Sequence, residues 1–144
     1  VVYDGLAGGY DTGISVANTT TDPFTSGAAA GSGTMTFSLY PRTATGAGTV
    51  ITVTTATGTT PGVGLAADGT LASGGTWSGL LSELLTAASN TDAFTGYIFI
   101  KTNFILAHGT SYVTNFATFT SASPMLVLDS PRTAPRTGFE SLSM

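Results

Sequence analysis

The sequence predicts an all-β fold, an antiparallel β-sandwich with one short inserted helix near residues 77–89. Three observations carry that reading. Short segments in which apolar and hydroxyl residues alternate recur along the chain, as half-buried strands require. Clusters of Gly, Pro, Asn and Asp separate them, at Asp22-Pro23, 27–33, 58–64 and Asp68-Gly69. One stretch alone breaks the alternation with apolar residues at three- and four-residue spacing.

Taken in order, 12–18 puts Ile14 and Val16 on one face, and 33–40 turns Met35, Phe37 and Leu39 inward with Thr34, Thr36 and Ser38 outward. Residues 50–54 alternate Ile51 and Val53 with Thr52 and Thr54. From Trp77 to Ser89, the spacing of Trp77, Leu80, Leu81, Leu84, Leu85 and Ala88 predicts a helix of about three turns, with Thr76 as its N-cap and Asn90 near its end. Residues 96–106 form an almost continuous apolar run, as expected of a central strand covered on both faces. Strands at 111–120 and 125–128 complete a set of six or seven, a number that suits an immunoglobulin-like or jelly-roll-like sandwich. The expected organisation is one domain over 1–129 and an extended Pro-rich tail over 130–144, marked by the doubled Pro131-Arg132-Thr133 and Pro135-Arg136-Thr137.

Charge is the second informative feature. Charged residues make up 8% of the 144, where a typical soluble domain has about 25%. Like-charge repulsion between copies is therefore weak, and a surface of Thr, Ser, Gly and Ala suits a protein that is covered by subunits, glycans or a matrix. With a net charge of −4 and only Arg42, Lys101, Arg132 and Arg136 as bases, the chain lacks a patch for several phosphates, so nucleic acid is not an expected partner. No apolar run approaches the ~18 residues of a spanning helix, so no integral membrane segment is expected. There is no cysteine, hence no disulfide or thiolate metal site. The start at Val1, without the basic and apolar stretches of a signal peptide, reads as a processed N-terminus and leads to an expectation of secretion.

Asp11-Thr12-Gly13 matches the signature of retropepsin-like aspartic proteases, in which two copies each supply one carboxylate. Here Ile14 stands where that pattern wants Ala or Ser, and no hydrophobic-hydrophobic-Gly partner segment follows; a turn Asp opening a strand is the plainer role. His108 is the single histidine. A triad with Ser111 would need an orienting carboxylate and an oxyanion hole that the neighbouring sequence does not offer. Asp4, Asp22, Asp68, Glu83, Asp92 and Asp129 are scattered singly, without calcium-loop spacing, so neither metal nor cofactor is expected. Asn18-Thr19-Thr20 is the one N-glycosylation sequon and makes Asn18 the glycosylation candidate.

Tyr10 to Thr19, Asp22-Pro23-Phe24, Ser32 to Thr36, Gly96-Tyr97-Ile98, Asn103-Phe104 and Ala107-His108-Gly109 follow a characteristic order. In that order of motifs, over about residues 9–128, the chain resembles a group of uncharacterised exported bacterial β-rich proteins. The resemblance implies export and a β fold, and carries no activity or catalytic residues. Members of the group often have cysteines where this chain has Met35 and Thr102, which implies that the two positions are neighbours and that packing here replaces a disulfide.

The expectation for function is a non-enzymatic extracellular subunit that self-assembles into a filament or surface layer through β-edges or exchanged terminal segments. Its assembly candidates are Val1, Val2, Tyr3 and Leu6 at one end and Phe139, Leu142 and Met144 at the other, apolar residues unsuited to solvated tails. The partner is then a second copy of the chain, with glycans as a further possibility. The alternative is a monomeric surface adhesin or glycan-binding module using exposed aromatics such as Tyr3, Tyr10 or Tyr40; the aspartic protease comes third.

Overall fold

Alternation becomes strand pairing in the computed structural model, which describes residues 1–21 and 29–128. One sheet contains β1 (Val2–Tyr3), β3 (Met35–Thr43), β4 (Gly46–Ala47), β5 (Ile51–Thr54) and β7 (Phe94–Thr102), in the order β1-β7-β3-β4, with β5 also against β3. The other contains β2 (Asp11–Asn18), β6 (Thr76–Leu80), β8 (Ala107–Thr114) and β9 (Thr120–Pro124), in the order β6-β2-β8-β9. All pairings are antiparallel. The two sheets form a β-sandwich.

The inward sets are those the alternation predicts. Phe37 stands between Ile100 and Val53, and Leu39 between Ile98 and Ile51. From the opposite sheet Ile14, Val16 and Trp77 meet Met35, Phe37 and Val53 in one cluster. The Phe37 and Trp77 rings lie 4.8 Å apart, and Trp77 donates its Nε1–H to Pro61 O at 3.1 Å, so the indole is buried with its polar atom satisfied. Burying one such side chain contributes roughly 1.5–3 kcal/mol. A second cluster of Leu39, Leu81, Leu85 and Phe94 closes the end of the sandwich where the helix docks.

That helix, α1 (Leu81–Ala87), is shorter than the expected 77–89. Residues 76–80 are strand β6 instead, with Ala17↔Thr76 and Gly13↔Leu80 bounding its register against β2. Thr76 is accordingly no N-cap. The three- and four-residue spacing of Trp77, Leu80 and Leu81 coincides with a period-2 pattern in which Trp77 points inward, and pairing with β2 decides between them. The helix begins where Glu83 reaches back to Leu80 N at 3.0 Å.

Three other expectations shift. The run 96–106 is a strand only to Thr102, and its outer face is open: Tyr97 and Phe99 are about half exposed. The strand expected at 111–120 runs over 107–114. Asn115 then closes a tight connection by accepting from Ala117, Thr118 and Phe119 N–H groups. The last strand is Thr120–Pro124 rather than 125–128, although Met125 N still donates to Gly109 O at 2.8 Å.

Val1, Val2 and Tyr3, expected to bury against another copy, belong to their own domain. Val1 exchanges both main-chain hydrogen bonds with Gly96, at 2.9 and 3.1 Å, and Val1 and Tyr3 pack on the second core cluster. Leu6 does project into solvent. The tail 130–144, with Phe139, Leu142 and Met144, lies outside the described residues.

Candidate functional site

The Asp11-Thr12-Gly13 triplet opens β2, and each residue has a packing role. Asp11 is 5% exposed, and its carboxylate accepts Thr12 N at 2.7 Å, Ser82 N at 3.3 Å and the Ser82 hydroxyl. It thereby caps α1 from a different sheet strand, satisfying a helix N–H that has no intrahelical partner. Thr12 Oγ1 accepts from Val2 N and donates to Val2 O, both at 2.8 Å, and so ties β1 to β2. Gly13 lies beneath the Tyr112 ring, which a Cβ would overlap. The carboxylate of the protease signature thus has both oxygens engaged within the chain.

Asn18, the glycosylation candidate, lies inside the folded chain. Its side chain is 1% exposed, with Nδ2 donating to Gly31 O at 2.7 Å and Leu71 O at 3.1 Å, while Oδ1 accepts Thr20 N and Thr20 Oγ1. The nitrogen that would carry a glycan is buried and doubly bonded to carbonyls in the folded chain, so the sequon marks a structural hub joining three loops. His108 is exposed beside Ala17 on the outer face of its sheet, whereas Ser111 stands opposite Ile14 on the inner face. The two side chains leave β8 on opposite sides and do not meet.

Two carboxylates organise loops. Asp4 accepts Tyr10 N at 2.8 Å and Leu6 N at 3.0 Å, and these hydrogen bonds, Tyr10's first, hold its pKa below the usual carboxylate value. Asp68 is lowered likewise by the Thr70 hydroxyl and N–H. A depression of 340 Å³ beside α1 is lined by Thr59, Pro61, Ser82 and Glu83, but the Glu83 carboxylate already bonds Leu80 N and the Ser82 hydroxyl bonds Asp11. These residues are committed to the fold.

Among the described residues β7 presents an apolar outer face that is not covered. β7 is flanked by β3 along its length but by β1 only at 94–96. Gly96 N points toward β1, and Asn103 N donates to Thr34 O, so by the alternation of an antiparallel ladder the N–H and C=O groups of Ile98, Ile100 and Thr102 face away from β3. Among the described residues no strand pairs with them. Side chains on both faces of this edge are apolar: Ile98 and Ile100 pack partly buried on the core, while Tyr97 and Phe99 are 51% and 50% exposed outside. Tyr97 stacks on Tyr40 across the strands at 4.9 Å and 6°, and Phe99 meets both rings edge-on. Lys101 is the one charge on the strand.

The edges of the second sheet differ. β6 is covered by the bridge Val63↔Ser78, and β9 carries Pro124, which removes a donor at a position whose main chain faces outward. After Pro124 come Leu126, Val127 and Leu128, in no strand and 90%, 59% and 69% exposed. Sequence reasoning missed the β7 edge because strand order is not readable from one strand. The signal was there in the uninterrupted apolar run Tyr97-Ile98-Phe99-Ile100. Among the described residues no helix is long and apolar enough to cross a membrane.

Comparison with protein-family models, with curated proteins and with solved structures finds no match to this chain.

Proposed function

We propose that the chain is a non-enzymatic structural subunit, secreted to the extracellular space or cell surface, that assembles with copies of itself into a filament or surface layer. One observation carries the reading. β7 has the composition of a strand covered on both faces, yet among the described residues its outer face is open, with Tyr97 and Phe99 about half exposed. A second copy packed on this face would bury Tyr97 and Phe99. The charge-poor surface supports this, since little repulsion opposes close approach of copies. The resemblance to exported β-rich proteins supports secretion.

The test is sedimentation velocity and negative-stain microscopy over a range of concentrations. Assemblies growing with concentration are expected; isolated particles under all conditions would overturn the proposal. A second reading, a glycan-binding surface, has the Tyr40, Tyr97 and Phe99 cluster in its favour. It predicts binding to a polysaccharide array that Tyr97→Ala abolishes, and an array without hits removes it. Tyr40 and Tyr97 turn faces toward one another, which leaves less ring area for a sugar and favours the assembly reading.

A further inference from the structure

Resting on the assembly reading, we propose that the end of one copy built by loops 4–10 and 115–119 packs on the outer face of β3 and β7 of a second copy. The receiving face is apolar in its middle and basic at both ends. Alternation along the two strands places Tyr40, Tyr97 and Phe99 there, with Lys101 on one side of them and Arg42 on the other. These two are the only Lys or Arg among the described residues, and the outward positions of β3, β5 and β7 hold no acid. Like charge therefore opposes packing of this face on itself. A two-fold axis lying in such a contact brings Lys101 over Lys101 or over Arg42 of the other copy, according to its direction.

The matching surface has to supply apolar side chains and acid, and this end of the sandwich supplies both. Leu6, Tyr10, Phe116 and Phe119 are exposed there, and Tyr10 meets Phe119 edge-on at 5.9 Å, which joins the two loops into one surface. Asp4 lies in the first loop. Asp92 lies in the connection before β7, which comes close enough that a Cβ at Gly5 would touch Ala93. Neither loop carries a base. The end is also shaped in advance: Asn115 accepts the N–H groups of Ala117, Thr118 and Phe119, and Asp4 accepts those of Leu6 and Tyr10. Surfaces fixed in this way lose little freedom on docking. Phe116 occupies the left-handed region, at φ 58°, a conformation costly for an aromatic residue and easier for Asn or Gly. An exposed aromatic ring at such a position gains its use when a second copy buries it. End and face are different surfaces, so the contact is heterologous and repeats from copy to copy unless a ring closes.

The experiment uses the full chain and two variants in sedimentation velocity. Phe116→Asn alters the end with a residue suited to its backbone, and Tyr97→Thr with Phe99→Thr alters the face with residues at home in a strand. Each variant alone is expected to stay monomeric, raising the concentration for half-assembly by about tenfold or more. An equimolar mixture should stop at a 1:1 dimer, because one partner retains only the face and the other only the end. Where urea unfolds a variant earlier than the unmodified chain, Leu6→Lys replaces the first and Phe99→Lys the second, with the same outcomes expected. Either variant assembling like the unmodified chain, or a mixture without dimers, overturns this inference and leaves the assembly reading standing. An unmodified chain that never assembles overturns both.

Discussion

Met35 and Thr102 stand directly opposite each other on β3 and β7. Met35 N turns the other way, to Thr55 Oγ1 at 2.9 Å, so this is a pair without mutual main-chain hydrogen bonds, the kind in which opposed Cα atoms are about 4.5 Å apart. That spacing lies within the range of a disulfide. The two positions are those at which the resemblance described above implies neighbours.

Replacing both, as Met35→Cys with Thr102→Cys, should therefore give a chain whose two thiols disappear on mild oxidation. The oxidised form should exceed its own reduced form in stability by about 2–4 kcal/mol, since the bridge closes a long loop of the unfolded chain. Thiol titration and denaturant unfolding of the two forms measure this. Thiols that stay titratable after oxidation would show that the strands are not in this register.

Asp11→Ala should destabilise the fold by about 1–3 kcal/mol, because it removes the cap on α1 and strands the half-buried N–H and hydroxyl of Ser82. Asp11→Asn keeps an acceptor and should lose less. Urea unfolding read by Trp77 fluorescence gives both numbers, and an unchanged midpoint for Asp11→Ala would remove the capping role.

The Asp4 loop should respond to acid. Its carboxyl pKa is lowered in the folded chain by the Tyr10 and Leu6 N–H groups, so its contribution is fully present above the ordinary value of 3.8 and fades as pH falls through the lower folded value. The amide signals of Leu6 and Tyr10 should titrate together with a midpoint below 3.8, and Asp4→Asn should abolish that titration. A midpoint above 3.8 would contradict the hydrogen-bonded arrangement.

Local pattern made much of this fold legible. Met35, Phe37 and Leu39 announce their face by alternation alone, as do Ile14 and Val16. Trp77 and Leu80 misled because a five-residue segment satisfies both helical and strand periods, and only the pairing of β6 with β2 resolves it. Asn18 and Asp11 were harder still. Their partners are Leu71 and Ser82, 53 and 71 residues away, and nothing in an Asn-Thr-Thr or Asp-Thr-Gly string reveals whether the side chain faces water or a distant loop. The β7 edge lay between these cases: its composition was plain, but what composition demands and what a single copy supplies could be compared only once the strand order was known.

The position of β2 has a consequence for how the polypeptide is made. β2 lies between β6 and β8, and its full-length partner begins at Ala107, about 90 residues after β2 ends. At a synthesis rate of about 5–20 residues per second, β2 waits roughly 5–20 s for β8 to exist, although β3 can pair with β4 and β5, and β2 with β6, before then. During that interval neither sheet can close, because β1 also needs β7. Closure of both sheets thus waits until β7 and β8 have been made, long after the first strands.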